Sequence, residues 1–260
     1  MTKAPLQSIT GLTPPEDLLS VASAQNAATE KTEVHVRAVL KPLVDPALPK
    51  VDFRTEGYIS PIKSQGLCGS CWAFGTVGTV EAAYAIANKK KIVDAAEQEL
   101  LSCSGSGTCV GGYWAFTYVK KRGLPDEVDF PYQANDTTEC REEIDHPYRV
   151  ENWGFVSFKR EIPTVNEIKE AMSIYGPVLA GVRVTEAFQR HKGDGTFKEK
   201  VAGRTNHAII IIGWDDARHA WLIKNSWGKR WGDQGFGWID YDCNSIGSGA
   251  AWVRARAKPE

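Results

Sequence analysis

The first 49 residues of this 260-residue chain contain no cysteine, tryptophan, tyrosine or phenylalanine. All six cysteines and all nine tryptophans lie beyond Pro49, so the side chains that most often build cores and bridges are confined to residues 50–260. An excess of one charge is also lacking. The 31 Lys and Arg against 32 Asp and Glu leave a net −1, which gives no electrostatic basis for holding nucleic acid or an anionic membrane. Long apolar runs are missing too: Ala208–Ile212 is far too short to span a bilayer, and no apolar signal-peptide core follows Met1. Cysteine and histidine are too few, and not spaced in pairs, to make a zinc site. Neither a metal nor a cofactor is expected. What is present, 42% hydrophobic and 24% charged residues, is ordinary for a soluble globular protein, long enough for one large or two small domains.

The most informative stretch is Gln65–Phe74, QGLCGSCWAF. Gln65–Ser70 is turn-forming and WAFGTVGTVEAAYAIAN reads as a helix, so Cys71 stands at a helix start. A thiol there meets the positive end of the helix dipole and free backbone N–H groups, which lower its pKa and favour the thiolate. Gln65 can bring a side-chain N–H to the same place. Thiolate and amide donor together point to acyl transfer, provided a base is supplied from elsewhere. Taken alone, the C-x-x-C pair of Cys68 and Cys71 reads equally as a bridge, a redox pair or a metal pair.

Downstream, Ala96–Ser102 and Gly112–Lys121 read as short helices, the second closed by Gly123. Thr164 with Glu167 forms a capping-box pattern, and Gly176-Pro177 stops the helix it starts. The period then changes to strands at Val178–Val184, His207–Trp214, Ala220–Lys224, Gly235–Ile239 and Ala250–Arg254. A mainly helical part, about 60–160, therefore precedes a mainly β part, about 161–256, an α+β order in which two packed units meet along a cleft. Before them, Pro14, Pro15, Pro42, Pro46 and Pro49 favour extended chain. Alternation of Val34, Val36 and Ala38 permits a short strand within Glu33–Leu43.

C-G-S-C-W is the local signature of the papain and cathepsin cysteine proteases, with a histidine and an asparagine expected roughly 130–150 residues later. His207, in NHAIIIIGW, stands 136 residues after Cys71, and Asn225, in KNSWGKRWGDQGFGWI, stands 154 after it. With VDFRTEGYISPIKSQG similar to a mature N-terminus, the chain resembles the papain family from about Leu48 to Trp252, in three blocks in the right order. The resemblance implies a two-lobed α+β fold over residues 50–260, a helical lobe facing a β-barrel-like lobe. It implies a cysteine endopeptidase with Cys71 as nucleophile, His207 as base and then acid, and Asn225 orienting the imidazole. Gln65 and the backbone N–H of Cys71 would form the oxyanion hole.

The same resemblance pairs Cys68 with Cys109 and Cys103 with Cys140, which implies an oxidising compartment, secreted or lysosome- or vacuole-like. Cys243 is left over and is expected as a buried thiol. For substrate binding it points to Gly111, Gly112, Tyr113, Trp114, Asn206, Trp227 and Gly249. Trp114 stands where relatives carry a small or cyclic residue, and a bulky wall over the Gly249 floor predicts an apolar side chain in that pocket. The Cys109–Cys140 segment has no insertion that would cap the cleft. Residues 1–49 are then a disordered tail, a linker or a short prosegment lying in the cleft and later removed. Family proregions are usually longer and helical, so an extended mode of cover is expected here. Partners are protein or peptide substrates, and a monomer is expected. The residues also allow a Cys68/Cys71 thiol–disulfide oxidoreductase, a papain-fold peptide ligase or an inactive binding module.

Overall fold

The computed structural model describes residues 9–257 apart from the side chain of Lys31; the first eight residues of the 1–49 segment and the last three of the 50–260 unit lie outside it. An extended stretch leads into a 22-residue helix, Leu18–Val39 (α1), where proline content and alternation predict extended chain. The prolines bound this helix instead of breaking it, Pro15 before it and Pro42 after it. Asp17 caps it by accepting the Ser20 N–H. Its buried positions are Leu18, Ala22, Thr29 and Glu33, a face too small and polar to leave an apolar stripe in the sequence.

Then come Lys50–Asp52 (β1), Cys71–Ala87 (α2), Glu97–Cys103 (α3), Phe116–Lys121 (α4), Val150–Phe155 (β2) and Val165–Tyr175 (α5). The chain continues through Val178–Val182 (β3), Glu186–Gln189 (α6), Thr196–Phe197 (β4) and His207–Asp215 (β5). Ala220–Lys224 (β6), Phe236–Asp240 (β7) and Ser248–Ala255 (β8) complete it. The strands form one sheet in the order β2-β8-β3-β5-β6-β7-β4, with β1 added to β5. The helices and strands anticipated beyond residue 50 are present with ends shifted by a few residues, and the Thr164–Glu167 capping box is formed. The short strand allowed within Glu33–Leu43 is instead the end of α1 and the loop after it. Strand β2, with Asn and Gly among its six residues, shows no such pattern and is held by pairing with β8.

Helix α2 is buried almost all round, as a helix lying between two packed bodies must be. Gly75 and Gly78 are the reason it can approach the sheet. A Cβ on Gly78 would lie 2.6 Å from Ile210 Cδ1, and one on Gly75 would overlap Leu179. Thr76 and Thr79 return their hydroxyls to the carbonyls of Trp72 and Gly75. One apolar core gathers around α2, α3 and α4; a second lies between α5 and the inner face of β3, β5 and β6. The start of α2 and the start of β5 meet between them.

Candidate active site

Cys71 is the first residue of α2, and its side chain is fully buried. The thiol faces backbone N–H groups of Ala208, Gly11 and Trp72, so its neighbour from the β lobe is the residue that follows His207. Cys68 is bonded to Cys109 and Cys103 to Cys140, while Cys71 and Cys243 are free buried thiols. A redox pair of Cys68 with Cys71 therefore lacks its second sulfur. Cys243 donates to the Phe197 carbonyl at 3.3 Å and takes no part in the site.

His207 opens β5 and is fully buried. Its Nε2 lies 2.8 Å from Asn225 Oδ1, which follows the last residue of β6. An amide oxygen only accepts, so Nε2 carries the proton and Nδ1 keeps its lone pair. Nδ1 has no protein partner. Trp227 stacks on the ring, centroids 4.4 Å apart. Burial pushes the Cys71 thiol up to about 12 against the pull of the surrounding N–H groups. Burial also carries His207 down to about 4, opposed by its bond to Asn225. Both groups are thus neutral in this covered state, where the helix start alone predicts a thiolate.

The burial has a visible cause. Residues 9–13 run through the cleft over the thiol. The Gln65 amide, itself buried, donates to the Ile9 carbonyl at 3.2 Å and to the Cys68 carbonyl at 2.7 Å. Trp227 Nε1 donates to the same Ile9 oxygen at 3.1 Å. Ser226 fixes the Gln65 side chain by donating to its Oε1 at 2.6 Å; the KNSWG block contains this serine but does not reveal its role. Gly11 and Leu12 both donate to the Asn206 carbonyl at 3.0 Å. Gly112 donates to Gly11 and accepts from Thr13, so Leu12 pairs with Gly112 in parallel. The Gly11 carbonyl and Thr13 methyl lie within 3 Å of where a Gly111 Cβ would be.

Gln65, Asn206, Gly111, Gly112 and Trp227 are thereby gathered around one stretch of backbone. Tyr113, Trp114 and Gly249 lie further along. Trp114 stacks on Tyr113 at 4.3 Å and donates to the Gly249 carbonyl at 2.9 Å. Leu18 of α1 covers Gly249. The occupying segment carries no aromatic or ionic signal in the sequence, because its hold on the cleft is main chain to main chain.

The profile described as papain family cysteine protease matches residues 48–252. The chain belongs to the papain family. Mouse cathepsin R is 36% identical over 225 residues, 80% of this chain and 65% of that protein. Thiol protease aleurain of Arabidopsis thaliana is 36% identical over 221 residues, 79% and 59% of the two chains. The chain thus spans about three-fifths of the length of these papain-family relatives. Among solved structures, a Carica candamarcensis cysteine protease in complex with E-64 superimposes with a TM-score of 0.71 at 28% identity, over 80% of this chain and 98% of that one. Digestive procathepsin L 3 of Tenebrio molitor gives a TM-score of 0.73 at 25% identity, over 92% and 89%. The fold is accordingly the two-lobed α+β papain fold, and the two disulfides fit an oxidising compartment.

Proposed function

We propose that the chain is a cysteine endopeptidase held closed by its own residues 9–49. The observation that carries the reading is a lone buried thiol at a helix start, facing the backbone N–H of the residue after a histidine whose Nε2 is fixed by Asn225. Once the cleft is open, water and substrate replace residues 9–13, and the thiol proton passes to His207 Nδ1. Sulfur attacks the scissile carbonyl carbon, whose oxygen collects negative charge opposite the Gln65 amide and the Cys71 N–H. The imidazolium returns its proton to the leaving amine, and water releases the acyl group by the same steps in reverse order.

In this pose the thiol meets the Gly11 N–H of the cleft segment. Its cover combines the expected extended crossing with an unexpected helix. Residues 40–49, irregular and largely exposed, form the natural place for cutting. The working enzyme is then a monomer of residues from about 50 onward, acting on protein or peptide substrates in a secreted or lysosome- or vacuole-like compartment.

The test is incubation of the purified full chain with reductant at mildly acidic pH. Trimming at residues 44–50 that Cys71→Ala abolishes is the expected result. Equal trimming of the variant would show that a contaminating protease did the cutting.

A further inference from the structure

Asparagine followed by any residue but proline and then by serine or threonine occurs once in this chain, at Asn135-Asp136-Thr137. That spacing is the acceptor pattern for an N-linked oligosaccharide, and it carries this meaning only on a surface loop of a secreted protein. The surface condition is met. Asn135 is exposed in the irregular stretch that leads to Cys140. Its Oδ1 accepts the Thr137 N–H at 2.9 Å and the Thr137 hydroxyl at 2.8 Å, an Asx-turn closed within three residues. Such a turn needs no distant partner, so it is available while the chain is still folding.

Both bonds engage the amide oxygen. Among the described residues, Nδ2 of Asn135 has no hydrogen-bond partner. Other atoms hold the loop. The Asn135 carbonyl accepts from Gln98 Nε2 at 2.7 Å, Asp136 Oδ2 accepts the Cys109 N–H at 2.7 Å, and Gln98 Oε1 accepts the Gln133 N–H at 2.9 Å. A substituent on Nδ2 breaks none of these contacts. The second condition is the compartment. The Cys68–Cys109 and Cys103–Cys140 bridges flank this loop, and bridges form in an oxidising secretory lumen, where oligosaccharide is also transferred.

We propose that Asn135 carries an N-linked oligosaccharide, an assignment independent of the peptidase chemistry. Nδ2 forms a bond to the anomeric carbon of a lipid-diphosphate-linked oligosaccharide, while the bond from that carbon to the phosphate oxygen breaks. Nδ2 gives up one proton and the lipid diphosphate leaves, so no oxidant or reductant takes part. The sugar stands at the bridged tip of the helical lobe. The Ala134 carbonyl lies 3.6 Å from Cys109 Sγ, and a Cβ on Gly66 would lie 3.9 Å from the Ala134 Cβ. Leu67 and Val110, each next to a cysteine of this bridge, are exposed. The oligosaccharide covers this tip, the kind of exposed loop that invites proteolytic nicking.

The experiment directs the full chain into the secretory pathway of insect cells, then reduces the secreted protein and digests it with trypsin. The peptide of residues 123–141 should carry an added oligosaccharide mass that peptide-N-glycosidase removes. Asn135→Gln and Thr137→Ala should each lose the added mass. Thr137→Ser, which keeps the hydroxyl, should retain it, separating loss of the acceptor from a folding defect. A secreted wild type without the added mass on this peptide, or Asn135→Gln that keeps it, overturns the site. Folded protein freed of its sugar should lose resistance to thermolysin within residues 66–68 and 109–111. Equal cutting before and after sugar removal overturns the covering role.

Discussion

Gly11 crosses the cleft with no room for a side chain. A Cβ there would overlap the backbone of Gly69, whose Cα would be 2.7 Å away. Gly11→Val therefore must lift residues 9–13 off the thiol, readmitting water and bringing Cys71 back toward the ordinary range of a thiol. Alkylation of Cys71 by iodoacetamide at neutral pH should accelerate about tenfold or more, since a loosening of only ~1.4 kcal/mol suffices. Unchanged alkylation, followed by mass spectrometry of the Cys71 peptide, would show that the segment is not what shields the sulfur. Gln65→Ala acts at the same scale but on chemistry. On the proposed mechanism it removes an amide donor from the developing oxyanion and should cost ~10²–10³ in kcat of the trimmed enzyme. Its KM should change little. A kcat within threefold of wild type would take Gln65 out of the oxyanion hole.

At the scale of elements, the proposed function makes α1 the latch. Asn26 exchanges two hydrogen bonds with the Phe155 backbone, and Gln25 donates to the Trp153 carbonyl, so the helix satisfies the open edge of β2 with side-chain amides. Glu33, 3% exposed, accepts from Arg254 at 2.7 Å, from Asn152 at 2.9 Å and from Tyr175 at 3.2 Å. Truncating it leaves the partly buried Arg254 guanidinium with Glu151 alone. Glu33→Ala should therefore loosen α1 by on the order of 2–3 kcal/mol, the lower side of a broken buried pair because Arg254 keeps some solvent. Hydrogen exchange within Leu18–Val39 should quicken accordingly, while α2 keeps its protection. Equal exchange in variant and wild type would deny the pair a latching role.

These contacts also explain what the sequence could show. Helix α5 announces itself through Thr164 and Glu167, and β5 through Ala208–Ile212, because caps and apolar periods are local. Cys71, His207 and Asn225 stand in recognisable blocks. Helix α1 binds through amides and a carboxylate, and Ile9–Thr13 through main-chain atoms. Neither mode leaves a periodic mark, so only the folded partner surface reveals them.

The whole molecule feels the buried pair through pH. His207 is carried down from its usual value near 6.5 to about 4, so between those limits the unfolded chain binds a proton that the folded one refuses. Its contribution to stability is present above about 6.5 and is lost as pH falls through 4. Cys71 works in the opposite direction. Its thiol is raised from 9.0 to about 12, so the unfolded chain releases a proton first, and stability present below about 9 is lost as pH rises toward 12. The joint contribution of these two groups to urea resistance should accordingly be greatest between about pH 6.5 and 9. Cys71→Ala should remove the share of the alkaline loss that this thiol causes and keep the acid one. Cys243, also raised to about 12 by burial, and the buried tyrosines titrate in both proteins and cancel in the comparison. Removing residues 1–49 should flatten the Cys71 contribution as well, because it exists only while Ile9–Thr13 keep water from the sulfur. Parallel curves for full and trimmed chains from pH 9 to 11 would mean that the segment leaves the thiol's protonation untouched, and that residues 9–13 do not silence the enzyme by drying its sulfur.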